Sequence, residues 1–343
     1  MAVDIFGAPD FRKRSNEDAN PLVRPELRIT PPGVTTGLQG RLDNLQGGRT
    51  VRTNGGSSIY HAGQIEVRRR FANNFQMTGA YTFSKLISNA DEVFSPGFGA
   101  SESSFFAIAS VFGGERLDRA VSTFDKPHRL SLTYVVESPW FREQRGFLGK
   151  LLGGFQISGV TTYETGSPFS VLNGFDSDGN SGANRPNFNP NGQRGVRAVP
   201  QVDANNFITG YINPEVIIGQ TTNGSPIFAP INPNDAQFIV NPTFVPGLAG
   251  SVVRTGNLGR NTERTPPINN TNLSLTKRIR FGETRAIELR SDFFNVFNHP
   301  FFPSSGFIAQ TANSLTQRFF LNPDTPSTSG NAREIRYQVK FIF

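Results

Sequence analysis

Arg333-Glu334-Ile335-Arg336-Tyr337-Gln338-Val339-Lys340-Phe341-Ile342-Phe343 is the stretch that decides the fold. Side chains leave a β-strand on opposite faces in turn. Ile335, Tyr337, Val339, Phe341 and Phe343 therefore share one face, and Glu334, Arg336, Gln338 and Lys340 share the other, with Ile342 as the exception. A strand apolar on one side, charged on the other and ending on Phe suits a sheet that turns one face to lipid and the other to water.

The same period runs upstream. Residues 58–71 put Ile59, Ile65, Val67 and Phe71 on one face and Tyr60, Gln64, Glu66, Arg68 and Arg70 on the other. Asn73-Asn74 predicts a tight turn, because Asn tolerates positive φ. Residues 75–88 return, with Phe75, Met77, Gly79, Tyr81 and Phe83 opposite Gln76, Thr78, Ala80, Thr82 and Ser84. Residues 127–137 carry His128, Leu130, Leu132, Tyr134 and Val136 outward, with Arg129, Ser131, Thr133 and Glu137 inward. Residues 154–166 present Phe155, Ile157 and Tyr163 against Gln156, Ser158, Thr162 and Glu164. Residues 268–281 and 285–298 form a second tight hairpin through Gly282-Glu283-Thr284. Leu273, Leu275, Ile279 and Phe281 face outward from its first strand. Ile287, Leu289 and Phe293 face outward from its second, with Glu288, Arg290 and Asp292 inward.

Strand length points to a membrane. Phe75 to Phe83 spans roughly 30 Å at about 3.3 Å per residue, or a little over 20 Å when tilted by about 45°. The apolar band of an outer-membrane barrel is about 25 Å tall, whereas a soluble strand is usually about five or six residues long. Lys277 is the misfit: it falls outward between Leu275 and Ile279, where a Lys at mid-membrane costs about 2–4 kcal/mol. The expectation is that it snorkels to the rim or that the band is shorter there.

The connections alternate in length: tight at 72–74, long at 89–126, moderate at 138–153, very long at 167–267, tight at 282–284 and long at 299–332. This places the long loops at one end. Residues 105–117 suit a short helix, Trp140-Phe141 an interfacial anchor, and Asn223-Gly224 a hairpin between 216–220 and 226–229. Residues 1–57, interrupted by Pro21, Pro25, Pro31, Pro32 and two Gly pairs, read as a loop or the remnant of an earlier strand, with the barrel portion at 58–343. Residues 1–20 lack the pattern of a signal peptide.

Composition agrees. The 343 residues carry 34 Lys+Arg against 27 Asp+Glu, a net charge of +7, but the cations are scattered among acids along the strands. That argues against nucleic acid as partner and fits outer-membrane lipid, lipopolysaccharide included. The lack of Cys excludes disulfide scaffolds, Cys-type zinc sites and Cys nucleophiles. No run of about 18 apolar residues exists, so no helix spans a membrane. The fold class expected is all-β, an antiparallel up-and-down transmembrane barrel fragment.

Six short motifs add a resemblance. Thr82-Phe83-Ser84-Lys85, Asp125-Lys126-Pro127-His128-Arg129, Gly153-Gly154-Phe155-Gln156-Ile157-Ser158-Gly159, Thr165-Gly166-Ser167-Pro168-Phe169, Gly256-Asn257-Leu258-Gly259-Arg260-Asn261 and Phe293-Phe294-Asn295-Val296-Phe297-Asn298-His299-Pro300 occur in this order. With the closing Tyr337-x-Val339-x-Phe341-x-Phe343, they resemble the C-terminal barrel of Oar-like TonB-dependent transporters. The resemblance covers residue 50 or so to the end. It implies residence in the bacterial outer membrane, energy coupling through a plug domain, and a terminal aromatic signal (Tyr337, Val339, Phe341, Phe343) read by the outer-membrane assembly machinery. Transporter barrels have about 22 strands, and bacterial single-chain barrels at least eight. The seven strands read here are expected to be the last third of such a barrel, with plug and front domain upstream.

No enzyme constellation emerges. His61, His128 and His299 have no metal-ligand spacing, and P-loop, G-x-S-x-G and H-E-x-x-H are absent. Ser274-Leu-Thr-Lys277 matches S-x-x-K formally, but in a strand Ser274 and Lys277 point to opposite faces. Asp176-Ser-Asp178-Gly179-Asn180 offers alternating hard oxygens around a Gly bend, a candidate weak Ca²⁺ loop and the only cofactor expected. The Glu that would complete such a loop is replaced by Asn187, so a solvated Asx turn is the competing reading. Glu66, Arg68, Arg70, Glu137, Glu164, Glu288, Arg290 and Asp292 are expected to face the lumen as a cross-strand ladder rather than as a substrate path.

Overall fold

The structure, a computed structural model, describes residues 13–18, 50–89, 119–178, 184–245, 247–282, 284–300, 311–315, 321 and 332–343. Its strands in chain order are β1 (Lys13–Asp18), β2 (Thr50–Gly56), β3 (Ser58–Ala72), β4 (Phe75–Ser88), β5 (Ala120–Val121), β6 (His128–Glu137), β7 (Phe155–Glu164), β8 (Pro168–Phe169), β9 (Asn187–Phe188), β10 (Gln193–Val202), β11 (Ile208–Gln220), β12 (Pro226–Pro230), β13 (Ala236–Ile239), β14 (Glu263–Arg264), β15 (Ile268–Phe281), β16 (Arg285–Phe294) and β17 (Glu334–Ile342). A short helix, α1 (Gly146–Leu152), stands between β6 and β7.

The seven long strands form one sheet in the order β3-β4-β6-β7-β15-β16-β17, with β5 added at the end of β4. Every neighbouring pair is antiparallel, and the registers keep one parity except for a break between Arg69 and Ala72 at the end of β3. One row reads Arg69, Met77, Tyr134, Gly159, Leu273, Phe293, Ile335; the row beside it reads Gln76, Val135, Ser158, Ser274, Asp292, Arg336. A slip of one residue would move a whole strand's apolar set to the polar face. The chain turns tightly at Asn73-Asn74, both at positive φ, and at Gly282, also at positive φ. These turns and the β6–β7 connection share one end of the sheet. The connections β4–β6, β7–β15 and β16–β17 leave from the other end. β16 stops at Phe294, short of the expected 298, because Asn295 takes positive φ and its amide bonds to the backbone of His299.

Within residues 1–57, read as a loop or the remnant of an earlier strand, the described parts include β1, which pairs antiparallel with β2; β2 runs on into β3. The Ser57 carbonyl accepts from the Asn89 N–H on the β4 side. Gly56, one residue earlier, faces the other edge and pairs with Lys13. The helix expected at 105–117 lies outside the described residues.

The larger correction concerns 167–267. The β7–β15 connection is a folded layer rather than an open loop. It holds a five-stranded sheet, β12-β11-β10-β13-β9, whose β10–β13 pair is parallel, and a short β8–β14 pair. The hairpin at Asn223-Gly224 is present as β11–β12, with Gly224 at positive φ. Phe169, Val171, Val199, Phe238, Val240, Leu258 and Ala312 form the layer's core. Ala312 comes from the β16–β17 connection, which adds a parallel bridge between Leu172 and Thr311. Among the described residues, Ala286 is the only buried apolar side chain that belongs to the seven-strand sheet. The core among the described residues sits above the main sheet, and the sheet's large apolar side chains are exposed or half-buried.

Candidate functional site

The sheet's polar face gathers the charges named from the sequence. Register places Glu66, Arg68, Glu137, Glu164, Glu288, Arg290 and Asp292 on one face, opposite the apolar rows, and Arg70 stands just beyond, in the register break that ends β3. None is buried. Glu66 pairs with Arg68 at 2.8 Å and Arg290 with Asp292 at 2.8 Å. Glu164 holds Lys126 at 2.7 Å and lies 3.8 Å from Arg129. Glu288 stands in register between Arg278 and Lys340. Ser274 donates a short hydrogen bond to Asp292, while Lys277 lies on the apolar face, so the two ends of the S-x-x-K match are kept apart.

At the long-loop end, motifs distant in sequence meet in a collar. The fully buried Asp125 carboxylate accepts from the Leu86 N–H at 2.6 Å and from Arg264 Nη2 at 2.5 Å. Arg264 also donates to the Gly166 carbonyl, and Ser84 Oγ donates to the Lys126 carbonyl. Lys126 Nζ reaches Ser167 Oγ at 2.9 Å. Arg260 Nη2 donates to the Ser88 carbonyl and hydroxyl, and Asn261 Nδ2 to the Val121 carbonyl. A Cβ on Gly166 would run into the Thr265 backbone, so the strands approach this closely only with Gly there. Sequence reasoning quoted these motifs without seeing that they converge. The signal lay in buried-type pairings of Asp, Arg and Asn in segments of little apolar content.

The layer above has its own charged pin. Arg197 is completely buried, donates to the Ser314 carbonyl at 2.9 Å and pairs with Glu215 at 2.5 Å. Burial pushes its guanidinium below the usual range, with Glu215 opposing. Burial also pushes the Glu263 carboxyl up, against the pull of Arg194. In the acidic loop, Asn184 Nδ2 lies 3.4 Å from Asp176 and 3.2 Å from Asp178; Asn180 lies outside the described residues. No three His, Asp or Glu side chains among the described residues converge as metal ligands.

A family model described as an outer membrane beta barrel domain matches residues 11–336. The chain belongs to this family. Neither the curated proteins nor the solved structures contain a match.

This outer-membrane β-barrel protein therefore turns its apolar face to lipid. The long-loop end is the cell surface, and the tight-turn end, where the chain terminates, is the periplasmic side. Aromatic side chains mark both rims. Tyr81, Phe83 and His128 cluster at the outer one, with the Tyr81 hydroxyl 2.7 Å from His128 Nδ1. Phe71, Phe155, Phe281 and Phe343 mark the inner one. Lys277 reaches to the tight-turn rim, where α1 meets its ammonium. Its Nζ donates to the Leu151 and Gly153 carbonyls at 2.7 and 2.5 Å, at the end of α1, and lies 4.0 Å from the Phe155 ring centre. Three polar or aromatic partners replace the water that a lone ammonium would lose.

Proposed function

We propose that the chain is the barrel of an Oar-like, TonB-dependent surface receptor, serving energy-coupled uptake or surface binding of a substrate, with no chemistry of its own. The observation that carries this reading is the polar face. Its eight named charges lie unburied along and between strands, where a narrow barrel would pack side chains into a filling. We read that face as the lumen wall, meeting water or a plug through which energy coupling would run. The collar, assembled from motifs that also carry the resemblance, supports the same reading.

A second reading, a non-transporting scaffold or adhesin, is favoured by one feature. The β11–β12 ribbon of the surface layer exposes Val216, Ile217, Ile218 and Ile227 together, an apolar patch suited to contact with another surface. Uptake of candidate solutes by cells expressing the full protein, with and without the inner-membrane energy source, separates the two. Accumulation that depends on that source is expected. Binding without accumulation, indifferent to the energy source, favours the adhesin.

Asp176, Asp178 and Asn180 are read as a weak Ca²⁺ loop within the surface layer, with Asp178 buried rather than solvated and Asn184 Nδ2 reaching both carboxylates. Calorimetry on the full protein is expected to show heat of binding at millimolar Ca²⁺ that Asp176→Asn removes. Absence of heat leaves only the hydrogen-bonded turn.

A further inference from the structure

The β6–β7 connection was expected to be a simple linker with an aromatic anchor, yet α1 sits on the lipid side of the sheet. Lys277 and Phe281 both belong to the apolar face of β15. Lys277 caps the carbonyl end of α1, and Lys150 Nζ lies 5.2 Å from the centre of the Phe281 ring. The helix is therefore outside the barrel wall, at the periplasmic rim.

The connection is fixed there by Gln144, whose buried amide replaces a peptide group. Its Nε2 donates to the Arg278 carbonyl at 2.7 Å, and its Oε1 accepts from the Arg280 N–H at 2.9 Å. This continues the β7–β15 ladder past its last pair, Phe155 and Lys277. The helix packs by its glycines: a Cβ on Gly153 would strike the Phe141 carbonyl.

With Gly149 and Gly153 turned to the protein, the other side of α1 is apolar. At about 100° per residue, Phe147, Leu148, Leu151 and Leu152 span an arc of about 140°. All four are exposed, Phe147 by 79% and Leu148 by 63%, and Trp140 in the same connection by 71%. No described residue covers them. Apolar side chains of this size are stabilised by leaving water, so an uncovered patch needs an occupant. The patch is continuous with the lipid-facing wall. Arg142, Arg145 and Lys150 outnumber Glu143 around it, which suits phosphate-bearing headgroups.

We propose that residues 138–154 form an interfacial paddle in the periplasmic leaflet of the outer membrane. Its occupant is glycerophospholipid: acyl chains meet Phe147, Leu148, Leu151 and Leu152, and the headgroup layer meets Trp140. The proposal rests on membership of the outer-membrane barrel family and not on any transport role.

Trp140 is the only tryptophan of the chain and reports directly. The full protein, with any tryptophan outside these 343 residues replaced by Phe, is inserted into vesicles of phosphatidylethanolamine and phosphatidylglycerol brominated either near the headgroup or near the acyl end, and only the heat-modifiable, inserted fraction is measured. Blue-shifted Trp140 emission is expected, quenched at least about twofold more by shallow than by deep bromine, as for an interfacial ring. Leu148→Glu with Leu151→Glu is expected to keep the heat-modifiable form, shift the emission to the red and lose most of the bromine quenching. Water-like emission with no bromine quenching in inserted wild-type protein overturns the proposal, as does unchanged quenching in the inserted double variant. Failure of insertion itself would instead count against the barrel.

Discussion

Deleting residues 337–343 is expected to abolish assembly of the full protein in the outer membrane, read as loss of the heat-modifiable form and of surface exposure. The deletion strips β16 of its partner from Ser291 down to Ala286. The backbone groups uncovered there face hydrocarbon, where each unsatisfied group costs several kcal/mol. It also removes the terminal Phe343, which resembles the signal read by the assembly machinery. The two causes separate cleanly, because the ladder ends at Ile342 and Phe343 lies beyond it, 96% exposed. Phe343→Ala therefore leaves every strand bond intact. If it assembles at the normal level, the ladder is what matters; if it fails as the deletion does, recognition is. Normal surface levels of the deleted protein would refute both.

Asp125→Ala is expected to destabilise the collar by about 3–5 kcal/mol, the usual cost of removing one partner of a buried ion pair. The fully buried carboxylate serves the Leu86 N–H and Arg264 at once. Without it, Arg264 keeps, among the described residues, the backbone carbonyls of residue 125 and Gly166. The effect should be read as protease sensitivity within 165–267 and as a lowered melting temperature. Assembly of β15–β17 should be spared, since none of their ladder bonds involves Asp125. Asp125→Ala combined with Arg264→Ala is expected to cost less than the sum of the two single changes. A wild-type melting temperature for Asp125→Ala would show that the pair contributes nothing to the collar.

The seven strands of the sheet were legible from the sequence because each alternates over about ten residues with few breaks. The face assignments were legible for the same reason, down to Lys277 on the apolar side. What Lys277 bonds to was not, because the answer depends on residues 151 and 153 folding back over β15. Helix α1 escaped notice because seven residues with glycine among them give too short a periodic pattern, and because its apolar arc faces away from the protein.

The surface layer was illegible for a different reason. Its strands carry Pro200, Pro214, Pro226 and Pro230, and β11 takes up Pro214 at a register break between Asn213 and Ile217. In β10 the buried run is Arg197-Ala198-Val199, so a charged residue stands in the interior and the period-2 alternation is lost where the chain is most buried. The eight charges of the polar face were found by period alone. The collar needed contacts across 139 residues, between Asp125 and Arg264, and across 172, between Ser88 and Arg260, which no local window contains.

Those same spans bear on how fast the protein matures. Ala312, from the β16–β17 connection, completes a core whose other members lie between 169 and 258, so the surface layer cannot close until the β15–β16 hairpin has been laid down between its parts. Contacts of such separation are slow to form, because the entropy of closing each loop is lost before the contact rewards it. Arrival at the cell surface and acquisition of a finished surface are then two events in time, with the second waiting on residues that follow the β15–β16 hairpin.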